Sequence, residues 1–300
     1  MYLVTGGCGF IGKSIAKRLL ESGEKVRVLD IDIKPFEGVE FFEGDIRDRN
    51  LVKDGVKGVE YIIHCAAISS VADSIRDPAE SHQTNLTGTV NLLIAARDYG
   101  IKRFIFASSA AVYGDTPSLP KKERDLPSPN SPYAVEKLCC EAYCRLFSEL
   151  YGLSTLSLRC FNVYGPGQSP DSQYSGVITR FIYALIEGKN PVIYGTGEQT
   201  RDFVYIDDVV DAYILAAKEG EGRGEVYNIG SGRETSINQL FRRLRDITKR
   251  DVEPVYQPER RGDIKRSFAD ISLAEKELGY KPIVDLREGL ERTLLWMQRG

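Results

Sequence analysis

Tyr133 and Lys137 stand four residues apart in the run Ser131-Pro132-Tyr133-Ala134-Val135-Glu136-Lys137. On a helix that spacing puts both side chains on one face, and a cation beside a phenol favours the phenolate. A free phenol ionises only near pH ~10, so a tyrosine acting as a base near neutrality needs such a neighbour. The pair is suited to taking a proton from a substrate hydroxyl. Upstream, the apolar run Phe104-Ile105-Phe106 leads into Ala107-Ser108-Ser109-Ala110-Ala111-Val112-Tyr113-Gly114. Ser109 there can hydrogen-bond both the substrate hydroxyl and the phenol, which shortens the proton path. A turn-capping role suits Ser108 better than Ser109.

A second constellation opens the chain. Thr5-Gly6-Gly7-Cys8-Gly9-Phe10-Ile11-Gly12 carries glycines at 6, 9 and 12 between a short apolar run and an amphipathic one. Glycines so placed allow a tight turn and let the backbone approach a pyrophosphate, while the following helix N-terminus offers N–H groups and a positive dipole end. Val26-Arg27-Val28-Leu29 then ends in Asp30, about 20 residues beyond the turn, where a ribose hydroxyl needs an acceptor. A carboxylate there repels the extra phosphate of NADP, and Ile31-Asp32-Ile33-Lys34 supplies no arginine. The expected cofactor is NAD.

The elements that must position these residues follow from periodicity. Tyr2–Val4, Val26–Asp30, Tyr61–Cys65, Phe104–Ser108 and Thr155–Arg159 read as strands. Helical patterns run from Ile11 to Ser22, Thr89 to Tyr99 and Tyr133 to Tyr151. Apolar strands alternating with helices predict an α/β fold, a Rossmann-type doubly wound parallel sheet covered on both faces. In such sheets ligands bind beyond the C-terminal strand ends. From Tyr164 the chain turns Gly- and Pro-rich (Tyr164-Gly165-Pro166-Gly167-Gln168-Ser169-Pro170). The expected division is a cofactor domain over 1–165 and a smaller mixed α/β substrate domain over 166–300, with the chain crossing back near 200–225.

Composition narrows the class. The 300 residues are 42% apolar and 28% charged with a formal charge of −3, as in an ordinary soluble protein, and no basic footprint points to nucleic acid. The apolar runs fall far short of a bilayer span. The glycine turn begins at Gly6, leaving no room for a leader peptide, so a cytoplasmic location is expected. Six cysteines lack any Cys-x-x-Cys pair and only His64 and His82 accompany them; neither a metal site nor a disulfide framework is expected.

Taken together, these residues resemble the extended short-chain dehydrogenases/reductases, and within them the UDP-glucose (UDP-galactose) 4-epimerases. The resemblance covers nearly the whole chain. Besides the motifs above it rests on Gly44-Asp45-Ile46-Arg47-Asp48, His64-Cys65-Ala66-Ala67, Asn85-Leu86-Thr87-Gly88-Thr89, Arg159-Cys160-Phe161-Asn162-Val163-Tyr164-Gly165 and Arg201-Asp202-Phe203-Val204. It implies Phe10 and Ile11 at the pyrophosphate, Asp30 on the ribose, Asp45 with Ile46 beside the adenine, and Asp32, Tyr133 and Lys137 among the other cofactor-binding residues. Cys65, Ala66, Ala67, Ala107 and Ser108 would line the cofactor, with Asn85 and Phe161 near it, and His64 would be structural. Around a UDP-sugar it implies Asn162, Arg201, Arg260 and Asp263, with Val177 and Tyr194 toward the uracil; arginine forks suit diphosphate oxygens. It also implies a homodimer paired through the helices at Thr89–Tyr99 and Tyr133–Tyr151.

The reaction turns on a few positions. Nucleotide-sugar 4,6-dehydratases need an acid and a base after the serine, where this chain has Ala110 and Ala111, and uronate decarboxylases commonly carry a glutamate there. UDP-glucuronate 4-epimerases resemble a different pattern from Asn162 and Gln168-Ser169-Pro170-Asp171-Ser172. The expectation is epimerisation at carbon 4 of a UDP-hexose through a 4-keto sugar. The alternatives are a UDP-glucuronate epimerase or decarboxylase, a dehydrogenase releasing NADH, and a non-catalytic NAD-binding sensor. The family position beside carbon 2 of the sugar holds Ser267, which leaves room for an N-acetyl group.

Overall fold

The computed structural model describes residues 1–168, 176–259 and 264–299. Strand β1 (Tyr2–Thr5) runs into the glycine turn and helix α1 (Phe10–Glu21), followed by β2 (Val26–Asp30), β3 (Glu40–Glu43), α2 (Arg49–Gly55) and β4 (Tyr61–His64). Two short helices, α3 (Val71–Arg76) and α4 (Pro78–His82), lead through a π-helical turn at Gln83–Thr87 into α5 (Gly88–Asp98). Then come β5 (Arg103–Ser109), α6 (Pro132–Tyr151), β6 (Thr155–Cys160), β7 (Asn162–Tyr164), α7 (Val177–Ile186) and β8 (Val192–Tyr194). The remainder comprises β9 (Thr200–Arg201), β10 (Phe203–Tyr205), α8 (Ile206–Lys218), β11 (Arg223–Ile229), β12 (Thr235–Ser236), α9 (Ile237–Thr248), β13 (Val255–Gln257), α10 (Ser272–Leu278) and α11 (Leu286–Met297).

Seven strands form one sheet in the order β11-β6-β5-β4-β1-β2-β3, every neighbouring pair parallel. Alternate strand residues feed two cores, as a period of two demands. Leu3, Leu29, Ile62, Phe104 and Phe106 face one, while Val4, Val28, Ile63, Ile105 and Leu158 face the other. This is the doubly wound Rossmann-type sheet expected from the alternating pattern. The winding reverses between β1 and β4, so a crevice opens there above the C-terminal strand ends.

Strand β3 was not anticipated: Glu40-Phe41-Phe42-Glu43 is an edge strand with exposed outer residues, so its sequence lacks the apolar run of a central strand. Beyond Tyr164 the chain is irregular, with three two-stranded pairings, β10 with β7, β12 with β9 and β13 with β8. It also returns to the main sheet, where β11 pairs with β6 and α8 packs on α1 and β5. Among the described residues no helix is long and apolar enough to cross a membrane.

Candidate active site

The crevice is a cleft of 690 Å³. Its floor is the glycine turn, which tolerates no side chain: a Cβ on Gly6 (φ +65°) would lie 2.7 Å from the Ala66 nitrogen, and one on Gly12 2.3 Å from the Gly6 carbonyl oxygen. Among the described residues no side chain caps α1, and its first turn holds no acid, so the positive helix end faces the cleft uncompensated. At the end of β2, Asp30 Oδ2 accepts the Cys8 amide at 2.9 Å and Oδ1 the Asp32 amide at 3.3 Å. Asp32 and Lys34 pair at 3.0 Å on the rim, so the Lys34 charge is answered within the chain. Arg47 binds the Asp45 carboxylate at 2.8 and 2.6 Å and holds its pKa below the usual range. Ile46 packs so closely on Gly88 that a Cβ there would come within 2.6 Å of it.

The opposite wall carries the residues expected from sequence to transfer the proton. Tyr133, Lys137 and Ser109 all line the cleft. Ser131 Oγ accepts the Ala134 amide to start α6, Pro132 occupies its first turn, and Ser74 Oγ accepts the Tyr133 amide at 3.2 Å. Helix α6 is therefore capped at the residue where the phenol projects. Lys137 Nζ donates to the Ala107 carbonyl at 2.7 Å and sits 5.6 Å from the Tyr133 ring centroid. Ser109, not Ser108, caps the turn at Ala110–Tyr113, accepting the Ala111 amide at 3.1 Å. Its hydroxyl hydrogen is still available to a ligand. Ser108 is turned inward, its hydroxyl donating to the buried Glu141.

His64 lies beneath this wall in a hydrogen-bonded chain. Thr89 Oγ1 donates to the Asn85 carbonyl at 2.5 Å, so it must accept from His64 Nε2 at 2.9 Å; Nδ1 then accepts from Thr5 at 2.7 Å. The ring is thus neutral, and burial, with Lys137 nearby, pushes its pKa down to about 3. Burial drives the thiols the other way, Cys65 to about 12 and Cys160 to about 11, so neither is a nucleophile at neutral pH. All six cysteines are free.

The sequence pattern of the NAD dependent epimerase/dehydratase family matches residues 2–230. The chain belongs to that family. Its structure is similar to that of UDP-glucose 4-epimerase with UDP-glucose from Thermotoga maritima, at a TM-score of 0.96 and 40% identity, covering 99% of this chain and 98% of the other. It is also similar to UDP-N-acetylglucosamine 4-epimerase from Methanobrevibacter ruminantium in complex with UDP-N-acetylmuramic acid, with a TM-score of 0.94, 38% identity and coverage of 99% and 98%. A UDP-glucose 4-epimerase of Mycolicibacterium smegmatis is 38% identical over 97% of this chain and 96% of its own. This epimerase/dehydratase family member is an enzyme of the UDP-sugar 4-epimerase type, and its cofactor is NAD. The cleft fits that group: the side-chain-free cradle at Gly6 and Gly12, the open N-terminus of α1 and Asp30 suit a pyrophosphate and a ribose in that order.

Of the cofactor set inferred from sequence in this family member, Gly6, Gly9, Phe10, Ile11, Gly12, Asp30, Asp32, Asp45, Ile46, Cys65, Ala66, Ala67, Ala107, Ser108 and Phe161 line the cleft. Asn85 does not. Its amide is turned behind the wall, onto Ile68 and Glu136. On the substrate side Asn162 lines the cleft, whereas Val177, Tyr194, Arg201 and Ser267 lie outside its lining. Arg201 donates to the Thr200 and Ile264 carbonyls at 2.7 and 2.6 Å; Ser267 is buried. Arg260 and Asp263 fall outside the described residues. Sequence reasoning missed Gln168, which lines the cleft and accepts the Thr179 hydroxyl at 2.7 Å. It also missed Tyr213, a fully buried phenol 3.7 Å from the Cys160 sulfur on the cleft floor. Both sit on elements distant in sequence from the glycine turn, and no local spacing signals them.

Proposed function

We propose that the protein interconverts UDP-glucose and UDP-galactose by inverting carbon 4, and that it accepts the N-acetylated sugars as well. The observation that carries this reading is the joint placement of Tyr133, Lys137 and Ser109 in the cleft of the glycine turn, followed by Ala110 and Ala111. With alanines in those two positions there is no second acid–base pair for eliminating water. NAD, when bound, supplies a hydride acceptor that becomes the donor on return. Tyr133 takes the proton from the carbon-4 hydroxyl and gives it back, Ser109 holds that hydroxyl by a hydrogen bond, and Lys137 fixes a positive charge against the phenol.

Inversion requires the 4-keto sugar to present its other face, so anchoring must lie in the nucleotide rather than the sugar. We assign that anchoring to Asn162, Arg201, Arg260 and Asp263, with Val177 and Tyr194 toward the uracil, and the nucleotide-sugar region to 166–300. Ser267 is the small residue that leaves room beside carbon 2. Purified protein incubated with UDP-galactose, UDP-N-acetylglucosamine and UDP-glucuronate, with products resolved by chromatography, should convert the first two without accumulating NADH. Turnover of the glucuronate alone, or steady NADH release, would overturn the assignment. Conversion of UDP-galactose without the acetylated sugar would remove the role given to Ser267.

A further inference from the structure

Glu136 is a buried carboxylate, 4% exposed, that the proton-transfer chemistry leaves unused although it adjoins Lys137 in sequence. It points away from the cleft. Its Oε2 accepts from Ser81 Oγ at 2.7 Å and from Asn85 Nδ2 at 2.7 Å. Because that oxygen is an acceptor, the Asn85 NH2 must face it, which turns Asn85 Oδ1 the other way. Oδ1 then takes the Ile68 amide at 2.8 Å, while Nδ2 also reaches the Ile68 carbonyl at 3.0 Å. Asn85 therefore grips both backbone groups of one residue, as a neighbouring strand would. That residue belongs to the segment from Ala66 to Ser69, which lines the dinucleotide cleft.

The backbone is bent to make this contact. Asn85 sits in the π-helical turn Gln83–Thr87, a form that occurs mostly as single turns, often at functional sites. Its displaced carbonyl is taken up by Thr89 Oγ1 at 2.5 Å and Cys140 Sγ at 3.4 Å. Side chains from α4 and α6 thus converge on Asn85, and Asn85 in turn holds the Ile68 loop.

We propose that Glu136 is a positioning residue for NAD retention, acting through Asn85 to hold the Ile68 loop against the cofactor. The role concerns the dinucleotide whatever sugar is turned over, so it stands or falls apart from the substrate assignment. Exchange of bound NAD for radiolabelled NAD reads it directly. Glu136→Ala should speed that exchange about tenfold, the worth of one buried charge-assisted hydrogen bond. At saturating NAD, kcat and the KM for the sugar nucleotide should stay near wild type. Glu136→Gln keeps an acceptor oxygen and should stay within about threefold of wild type. If Glu136 acts only through Asn85, the double variant Glu136→Ala/Asn85→Ala exchanges NAD no faster than Asn85→Ala. Wild-type exchange in Glu136→Ala, or multiplying effects in the double variant, would overturn the proposal. Should the alanine protein not fold, Glu136→Gln carries the test. Its neutral acceptor is weaker, so the Ile68 amide should exchange with deuterium several-fold faster than wild type while the β4 amides do not change; an unaltered Ile68 amide would refute the mechanism.

Discussion

At the scale of single residues, two side chains with opposite duties lie within one wall. Tyr133 projects into the cleft from the capped start of α6; removing its hydroxyl takes away the proposed acid–base group and little packing. Tyr133→Phe should therefore lower kcat by about 10²–10⁴-fold, the usual worth of a positioned acid–base group, with NAD exchange close to wild type. Activity within a few-fold of wild type would show that another group moves the proton. His64, by contrast, is a structural neutral imidazole. Its pKa is about 3 in the folded protein against an ordinary 6.5. Above 6.5 neither state is protonated; between 6.5 and 3 only the unfolded chain takes the proton, so stability falls as pH falls, and below 3 the loss is complete. The slope approaches about 1.4 kcal/mol per pH unit within that window. Urea titrations at pH 7.5, 6.5 and 5.5 should show the decline, and His64→Asn should flatten it. Buried Asp202 and Asp208, whose pKa values burial raises, work in the opposite direction in both proteins, so the difference between the two pH slopes isolates His64. Equal slopes in the two proteins would place the titration elsewhere.

Between elements, the C-terminal ends of β5 and β6 are locked to α6 by a buried ion pair. Arg159 Nε and Nη2 reach the Glu141 carboxylate at 2.9 and 2.7 Å, Ser108 also donates to it, and the guanidinium lies 4.7 Å over the Tyr113 ring. Breaking such a pair leaves a desolvated charge, so Arg159→Met should cost about 3–5 kcal/mol, whereas Arg159→Met/Glu141→Leu should recover most of that loss. Ser109 follows Ser108 directly, so the single variant should also lose kcat. A urea midpoint unchanged by Arg159→Met would mean the pair carries no stability. This lock also shows where sequence reading reaches its limit. The glycine turn, Asp30 and the Tyr133/Lys137 pair were legible because each is a local spacing on one element or one turn. The partners of Ser108, Asn85 and Glu136 were not, since those contacts bridge 17 to 55 residues and depend on how helices seat against the sheet. Local composition likewise favoured Ser108 over Ser109 as the turn cap, and the long-range pull of Glu141 reversed them.

For the whole molecule, one helix face groups its exposed apolar side chains into a stripe. Helix α6 buries Ala134, Cys140, Cys144 and Phe147 against the sheet, yet Val135, Tyr143, Leu146 and Leu150 are all exposed, Leu150 to 67%. At roughly 100° per residue these four fall within an arc of about 80°, a second apolar stripe on the outer side of the same helix. A stripe of that kind is costly to leave in water and marks a contact surface. The expected pairing is a closed two-fold one in which the same stripe covers itself, α6 on α6 with α5 alongside. Light scattering of the purified protein should give about twice the chain mass of 33.5 kDa. Leu146→Glu/Leu150→Glu should shift it toward one chain by burying like charges opposite each other, while the far-UV spectrum and NAD exchange stay as in wild type, because neither residue touches the cleft. A single-chain mass for the unaltered protein at micromolar concentration would overturn the pairing, and a dimer that survives both glutamates would move its interface off α6.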